Sequence, residues 1–364
     1  MSDVLKKFDS WLGDDGPAAL VIREHLISVE GPDAVLFPST YAASEDKTFK
    51  GGYNIDTFGD EKDGKNVCLI DSVGSQANRI ETLFAKEKYA GLVPQITVKA
   101  GDKLVNLLEA GHRAGDAIVR CTAIQKTLQD AFKAAQQGNT EPLAKIAPTS
   151  LVFGVWDSRD TQAKLPRLIA STIRAFNVQR LTRSAQFNPA IEFVNNDMLE
   201  EAKDKTSKDA YAQRGFIHVP ASGSHGGVIA TGGIRRDASL SLAALRLLNV
   251  GTDKQKTESL RRYILGLALV AFTYRPSSYL RQGCNLVPDP DKPAEFVEVR
   301  NDGRRHSAKI THDDALAFAT AAAKAFGIGK DQQVEFDKEL AKKDVHGESA
   351  DGDKSTGKGN KKNK

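Results

Sequence analysis

The chain has 364 residues, and 40% of them are hydrophobic. It can therefore bury the core of one large domain or of two ordinary ones. The net charge is +4, and residues 342–364 contribute +3 of it, with seven lysines and four acidic residues. Bulk positive charge is excluded as a source of nucleic-acid affinity, so any such affinity must come from local patches.

Cysteine usage and hydropathy indicate a cytoplasmic protein. Cys68, Cys121 and Cys284 are far apart and form no C-x-x-C pair, which favours a reducing compartment and argues against structural zinc. The sequence shows no secretory signal pattern, and its longest apolar segment, residues 263–274, is too short to cross a bilayer. No G-x-G-x-x-G motif follows a strand and no G-x-S-x-G motif is present. We expect no membrane contact, no cofactor and no metal.

In chain order, residues 1–16 predict a short amphipathic helix that docks on the body of the protein. The body spans residues 17–346 and holds two long polar stretches, 38–65 and 197–236, which we interpret as projecting arms. Residues 347–364, rich in glycine and lysine, have the composition of a disordered tail. Within the body the patterns predict strands at 19–28, 34–37, 66–70, 92–98, 190–194, 216–219 and 296–299, and helices at 102–111, 116–137, 240–249, 257–272, 311–326 and 331–342.

The stretch from Thr149 to Arg183 combines an apolar run with a cluster of basic residues. The unbroken apolar run from Leu151 to Trp156 predicts a strand buried on both faces. Apolar residues recur at helical spacing from Leu165 onward and predict a helix. The predicted turn and helix carry six basic residues, which suit a phosphate-binding rim and equally suit an ordinary solvated helix face: Arg159, Lys164, Arg167, Arg174, Arg180 and Arg183.

A short pattern in this stretch also occurs earlier in the chain, and we call this repeat the internal echo. The pattern D-S-x-x-[ST]-Q-A occurs at 71–77 and again at 157–163, each time after a predicted strand and before a predicted helix. Two such βα turns are what a βαββαβ sheet of the ferredoxin or RRM type supplies. We therefore predict an α+β fold with an RRM-like or ferredoxin-like palm, inserted thumb-like arms and additional helices.

Three features leave alternatives open. Asp157 could act as a catalytic or metal-binding carboxylate, or it could cap the predicted helix or pair with Arg159. Trp156 could stack on a base or lie in the core. The glycine-rich segment 222–236 permits close approach of a phosphate and equally permits a glycine-rich hairpin.

Three segments together resemble the CRISPR-associated backbone subunit of type I-G (formerly I-U) Cascade, of the repeat-associated (RAMP) superfamily of guide-RNA-binding proteins. They are LVFGVWDSRDTQAKLPRLIASTIRAFNVQRLTRSAQF (151–187), DSVGSQANRIE (71–81) and GGVIATGGIRR (226–236). The resemblance extends over about residues 20 to 330. It implies a subunit that is not an enzyme and that oligomerises as a helical filament along CRISPR RNA (crRNA), holding it for pairing with target DNA in antiviral defence. The implied partners are crRNA, target DNA, further copies of the chain, other Cascade subunits and a recruited helicase-nuclease.

On this interpretation, fourteen residues are candidate contacts to the RNA, chosen for their hydrogen-bonding, cationic or stacking chemistry and for the internal echo: Ser75, Gln76, Asn78, Arg79, Trp156, Ser158, Arg159, Gln162, Lys164, Arg167, Arg174, Arg183, Arg235 and Arg236. Two other functions remain open. An acid such as Asp157, Asp56 or Asp60 would make the chain a metal-dependent endoribonuclease that cuts target RNA. Alternatively, the chain is a free-standing RNA-binding protein of the RRM type.

Overall fold

A computed structural model describes residues 2–59 and 65–346 of the chain. It is an α+β protein, as the sequence predicts. The helices are α1 Ser2–Lys6, α2 Val73–Glu81, α3 Glu87–Ala90, α4 Ala117–Arg120, α5 Gln125–Gln136, α6 Glu141–Ile146, α7 Thr149–Phe153, α8 Lys205–Gln213, α9 Leu242–Leu245, α10 Lys254–Thr273, α11 His312–Phe326 and α12 Lys338–His346. The strands are β1 Ala19–Ser28, β2 Thr40–Tyr41, β3 Gly52–Tyr53, β4 Ile55–Thr57, β5 Asn66–Asp71, β6 Ile96–Ala100, β7 Lys103–Asn106, β8 Val155–Trp156, β9 Lys164–Leu165, β10 Ile169–Phe176, β11 Val178–Phe187, β12 Val219–Ala230, β13 Ile234–Ser241, β14 Tyr279–Arg281, β15 Cys284–Pro288, β16 Glu295–Val299, β17 Arg305–Ser307 and β18 Gln332–Glu335.

A nine-stranded sheet organises the molecule. Its main path has the order β14-β15-β1-β13-β10-β5-β4, and β16 with β17 extends the edge beside β1. Every neighbouring pair in it is antiparallel. The sheet curls, and the Arg281 side chain of β14 donates a hydrogen bond of 2.9 Å to the Ile70 carbonyl of β5, which lies near the other end of the strand order.

Four of these strands have ferredoxin-like connectivity. The chain runs from β1 through several helices to β10, then through a long hairpin to β13, through α10 and finally to β15. Counted as strands one to four, they lie in the order 4-1-3-2, which is the order of the βαββαβ unit. The remaining strands extend this unit at its two edges.

Period-2 alternation gives the sheet one covered face and one open face. On β1, residues 20, 22, 24, 26 and 28 are buried, and on β13 residues 234, 236, 238 and 240 are buried. Their apolar members pack with the helices in the hydrophobic core. The intervening residues of both strands are half-buried or exposed, and we call the surface that they form the outer face.

The helical layer is built around α10. Residues 263–272 of this helix are all buried, as expected of a helix that is apolar on every side. It packs against α11, which begins with a capping box between Thr311 and Asp314. At the chain's start, Phe8 stacks on Trp11 at 4.8 Å and meets Phe318 edge-on at 4.9 Å. The first residues thus dock on this layer.

A long hairpin, which we call the arm, leaves the sheet between β10 and β13. It consists of β11 and β12, with residues 188–218 and α8 between them, so its observed limits are 178–230 rather than 197–236. Most β11 side chains are exposed, which shows that the hairpin projects. Residues 38–59, within the other expected arm, instead form the β2–β3 hairpin and edge strand β4, and Tyr53 there is buried.

The glycine-rich segment is part of the arm and of β13. A Cβ on Gly227, whose φ is +92°, would lie 2.8 Å from the Leu36 carbonyl oxygen, and one on Gly226 would lie 2.6 Å from the Leu181 oxygen. Because these glycines have no side chain, other segments of the protein's own backbone pack directly against them. The segment does not form a hairpin of its own, because its first part belongs to β12, which pairs with β11, and its last part belongs to β13, which pairs with β10.

The central stretch was predicted with its two elements reversed. Residues 149–153 form the short helix α7, all of it buried, and Gly154 ends it with a φ of +79°. Because a fully buried segment is apolar on all sides, its periodicity does not distinguish helix from strand. The prediction of a strand there was wrong, except for the two residues of β8.

The predicted helix from Leu165 is also wrong, because residues 169–176 form the central strand β10. Its side chains alternate between the core and the outer face, and the β-branched residues Ile169, Thr172 and Ile173 favour a strand. Apolar residues at 165, 168, 169, 173 and 176 happen to satisfy helical spacing as well. Pairing with β13 and β5 on both sides decides the conformation.

Outside the central stretch, the predicted helices and strands that agree best with the structure are the ones with long periodic patterns. The strands at 19–28, 66–70 and 296–299 and the helices at 257–272 and 311–326 are confirmed with small shifts of their ends. Residues 34–37 and 190–194 form no strand, 102–111 contain β7 instead of a helix, and the predicted helix 116–137 is divided into α4 and α5. All three cysteines are free and buried. Across residues 2–59 and 65–346, no helix is long and apolar enough to cross a membrane.

Gly266 provides a test of the α10–α11 packing. A Cβ there would lie 2.8 Å from the Ala319 Cα of α11. In Gly266→Ala the gain in helix propensity of about 1 kcal/mol should be outweighed by overpacking, which costs about 1–3 kcal/mol. We expect a lower free energy of unfolding by urea denaturation. Gly74→Ala in α2, with no atom closer than 4.0 Å, is the control and should stabilise the protein. A stabilised Gly266→Ala would contradict this packing.

Candidate nucleic-acid interface

The outer face of the sheet carries a row of basic side chains across three adjacent strands. His25 of β1 lies opposite Arg235 of β13, and Arg235 lies opposite Arg174 of β10. Two of the predicted contact residues, Arg174 and Arg235, are thus brought side by side. In the neighbouring row, Arg23 lies opposite Asp237.

The contacts within this row leave much of its hydrogen-bonding capacity open. Arg235 Nε donates to both carboxylate oxygens of Asp237, at 2.8 and 3.0 Å, and its guanidinium lies 4.8 Å from the centre of the Phe176 ring. Arg174 Nη1 donates to Thr172 Oγ1 at 2.6 Å. A guanidinium has five N–H donors, so both arginines retain free donors.

This arrangement is unfavourable for the isolated fold. Like charges directly opposite each other on neighbouring strands destabilise a sheet, and Asp237 offsets only part of the repulsion. An anion with oxygens along one line, such as a phosphate backbone, would bridge these side chains with charge-assisted hydrogen bonds. The outer face therefore has the chemistry of a binding surface for a polyanion.

The base of the arm carries two more arginines. Arg180 and Arg183 of β11 are exposed, a few residues beyond Arg174 along the chain. Arg180 Nη2 lies 3.4 Å from His225 Nδ1 of β12, and the His225 ring packs against Tyr53, which belongs to the core beneath the covered face of the sheet. Arg180 therefore lies toward the covered face and not in the row with Arg174 and Arg235.

Arg236 lies on the opposite side of the sheet from Arg235. Its side chain is 7% exposed, and its Nε donates to Glu24 Oε2 at 2.8 Å. The two sequence neighbours, predicted together, therefore belong to different surfaces.

A second group of predicted residues lies at the start of α2, where the predicted βα turn is confirmed. Ser72 caps the helix by accepting a hydrogen bond from the Ser75 amide. Gln76 is fully buried, donates to Asp71 at 2.6 Å and accepts from the Ser171 hydroxyl at 3.0 Å. The Gln76 side chain therefore serves the core and does not face solvent.

Asp71 is the centre of this network. It is fully buried, and Arg281 Nη2 donates to it at 3.0 Å, while Arg79 Nε lies 3.3 Å away. Arg79 Nη2 also donates to the Leu280 carbonyl at 2.9 Å. The two arginines thus connect α2 and β5 to β14, and they neutralise a carboxylate that would be costly to bury alone.

A third group lies on the β8–β9 hairpin, which occupies the place of the second predicted βα turn. Asp157 is buried and accepts from the amides of Asp160 and Thr161 and from the Thr161 hydroxyl, so it caps the hairpin loop. Gln162 has a φ of +58° and donates to the Ser158 carbonyl. No helix follows, so the two echo segments are not structurally equivalent.

Around this loop several predicted residues are exposed. Trp156 is 57% exposed, and Lys164 Nζ lies 5.4 Å from the centre of its ring. Arg159 and Arg167 are exposed on the same hairpin and just after it. The alternative that Trp156 lies in the core is wrong, because β8 is only two residues long and its second side chain is exposed.

Asn78 is connected to this hairpin through Arg113. Arg113, with a φ of +53°, donates to the Asn78 side chain at 3.1 Å, to the Gly154 carbonyl at 3.1 Å and to Glu81 at 2.6 Å. Burial raises the pKa of Glu81 to about 7, against the opposing effect of the Arg113 guanidinium. This buried pair fixes the orientation of α2 against the hairpin.

Four residues of these surfaces and networks were not predicted from the sequence: Arg23, His25, Arg113 and Arg281. The signal for the first two was available, because period-2 alternation along β1 places residues 21, 23, 25 and 27 together on one face. For Arg113 and Arg281, no local pattern indicated a role, since their partners are distant along the chain.

Among the residues that the structure describes, no group of three or more His, Cys, Asp or Glu side chains is placed to hold a metal ion. Asp56 is exposed on β4. Asp60 and the tail 347–364 lie outside the described residues.

The fold and the basic outer face define an α+β protein with a ferredoxin-like core, a projecting arm and a candidate polyanion surface. A family model described as CRISPR-associated protein GSU0053 matches residues 20–180, somewhat less than half of the chain. The match includes β1, α2, the β8–β9 hairpin and β10, and it supports a role in CRISPR defence. No curated protein matches the chain significantly.

The Asp71 network should make a large contribution to stability. Asp71→Ala leaves two arginines and Gln76 without their acceptor, and we expect it to lower the free energy of unfolding by about 3 kcal/mol. Gln76→Ala removes two buried hydrogen bonds and should cost about 1–3 kcal/mol. Ser75→Ala, which changes a half-exposed side chain in the same turn, should change stability by less than about 0.5 kcal/mol. Equal urea midpoints for all three variants would show that the network is dispensable.

Proposed function

We propose that the protein is a backbone subunit of a CRISPR ribonucleoprotein of the Cascade type, which oligomerises along guide crRNA and holds it for pairing with target DNA. The row of His25, Arg235 and Arg174 on the open face of the sheet is the observation on which this proposal chiefly rests. The family match gives the biological context.

The geometry favours contacts to the phosphate backbone over readout of bases. Guanidinium groups on a flat sheet reach phosphate oxygens without regard to sequence, which is what a subunit that must accept any guide requires. The half-buried Phe176 ring, already in contact with the Arg235 guanidinium, offers one stacking surface beside the row. Bases on the far side of the strand would stay free to pair.

The arm supplies a means to contact a neighbouring copy. It extends from the end of β10, the strand that carries Arg174, and presents exposed apolar side chains beyond its base, with Phe187 50% and Met198 65% exposed. We propose that the arm reaches from one copy toward the next along the RNA. The proposal makes the protein a non-enzymatic scaffold in the cytoplasm, with other Cascade subunits and a helicase-nuclease as partners.

Charge-removing variants test the contact surface. Arg174→Gln and Arg235→Gln should each weaken RNA binding by about tenfold or more, since a hydrogen bond to a charged group is worth about 1.5–3 kcal/mol. Each should also reduce the slope of log K against log salt by about 1. Thermal stability should be unchanged or slightly higher, because the repulsion between neighbouring arginines is relieved.

The matched control is Lys126→Gln, which removes one positive charge from the exposed surface of α5. It should leave both the affinity and the salt slope nearly unchanged. If it weakens binding as much as the two sheet variants, the attraction is diffuse and the outer face is not the interface.

Assembly on RNA tests the function itself. The chain alone should be a monomer or an irregular oligomer, and with guide RNA it should form complexes whose copy number grows with RNA length. Native mass spectrometry with guides of several lengths measures this number. A single protein bound to guides of every length would contradict the role of a backbone subunit.

A further inference from the structure

A cavity lies on the side of the sheet opposite the proposed RNA surface. It has a volume of about 560 Å³ and lies between the inner face of β1 and β13, the C-terminal end of α10 and the start of α11. This volume is within the range of about 300–1,000 Å³ typical of small-molecule sites. Glu24, Arg236 and Arg275 also line an adjoining cavity of about 200 Å³.

Arg236 presents unused donors to both cavities. The residue is 7% exposed, and only its Nε is hydrogen-bonded, to Glu24. The two terminal nitrogens have no partner among the described residues, and neither is cut off from solvent. A buried guanidinium normally uses its donors, so these groups are available to a ligand with acceptor oxygens.

The mouth of the cavity has a cationic bias. Arg275 is exposed, lines both cavities and has no hydrogen bond or ion pair within residues 2–59 and 65–346. Lys86 Nζ donates to the Tyr274 hydroxyl at 2.9 Å, and Lys88 lies beside Tyr89. Burial, together with Lys88, lowers the pKa of His312, so this ring is neutral near pH 7.

Two acidic groups face the same space. Glu24 is neutralised by Arg236, and Asp313, at the start of α11, lies 4.0 Å from Lys88 and is largely exposed to solvent. With both of these acids compensated, Arg275 and Lys86 remain as excess positive charge. An anionic group is therefore favoured at the mouth.

The walls of the cavity are aromatic. Tyr89, Tyr274 and His312 form one cluster, with ring centres 5.7 to 6.4 Å apart, and His312 is held in place by the Tyr89 and Thr273 hydroxyls. Phe272 and Phe296 form a second pair, 5.9 Å apart. Phe272 and Tyr89 are buried and support the walls, whereas the half-buried rings of Tyr274, Phe296 and His312 are the ones on which a planar ring system can stack.

From the buried guanidinium, the free Arg275 and the two aromatic clusters we infer that this cavity binds a nucleoside monophosphate group, with the base among the rings and the phosphate at Arg236 and Arg275. The group is either a free nucleotide or a single unpaired nucleotide of a bound nucleic acid. The site goes beyond the proposed function, because it lies on the other face of the sheet from Arg174 and Arg235.

Equilibrium titration of the full-length protein with AMP and UMP tests this inference. We expect saturable binding at one site, at least tenfold tighter than that of adenosine, ribose 5-phosphate or inorganic phosphate, since each of these lacks one of the two recognised parts. Arg275→Ala, which changes an exposed side chain, should weaken nucleotide binding by about tenfold or more. Tyr274→Leu should weaken it by about tenfold. The control Arg304→Ala removes an exposed arginine of the β16–β17 turn and should have no effect.

A second measurement separates the two sources of the ligand. If Arg275→Ala weakens guide RNA binding along with AMP binding, the ligand is a nucleotide of the nucleic acid. If only AMP binding weakens, the ligand is a free nucleotide. Nucleotide binding no tighter than that of inorganic phosphate, equal effects of Arg275→Ala and Arg304→Ala, or binding of an acidic peptide with no nucleotide binding would overturn the inference. Failure here leaves the Arg174 and Arg235 tests unaffected.

Discussion

The alternation of side chains along the central strands is the constraint on which the rest of the structure depends. In β13, one residue step separates Arg235, on the open face, from Arg236, in the buried ion pair with Glu24. A shift of register by one residue would exchange these two environments and expose the row that packs against the helices. The buried segment 263–272 of α10 fixes the register, because only one set of side chains can fill the layer beneath it. The basic row on the outer face is then a consequence of core packing.

The same alternation of side chains separates the charged residues buried inside the fold from those on the outer face. Inside the fold, three groups of buried charges are paired with the opposite sign, Arg236 with Glu24, Arg113 with Glu81, and Asp71 with Arg79 and Arg281, while buried Asp157 accepts hydrogen bonds from its own loop. Such pairs contribute orientation more than net stability, since desolvation offsets most of their attraction. On the outer face, by contrast, His25, Arg235 and Arg174 stand opposite one another, and Asp237 is hydrogen-bonded to Arg235. That contrast between the two faces separates structural charges from those available to a ligand.

The sequence predicted the elements that are long and periodic, and it failed where burial is complete or contacts are distant. β1 and α10 were recognised because ten or more residues kept one pattern. Residues 149–176 were assigned the wrong elements, because an apolar run carries no period and the spacing in 165–176 fits both helix and strand. The echo at Asp71 and Asp157 identified two buried aspartates with different roles, since Asp71 pairs with Arg79 and Arg281 before a helix and Asp157 caps a hairpin loop. Among the candidate contacts, Arg174 and Arg235 were named for their charge, and only the pairing of β10 with β13 shows that they are neighbours.

In the proposed complex, RNA lies on the outer face of the sheet. Photo-crosslinking of the protein to guide RNA that contains 4-thiouridine, followed by mass spectrometry of the crosslinked peptides, tests this placement. We expect crosslinks concentrated in β1, β10 and β13, including the peptide with Phe176. Crosslinks confined to α5, α11 or α12, with none in these strands, would contradict it.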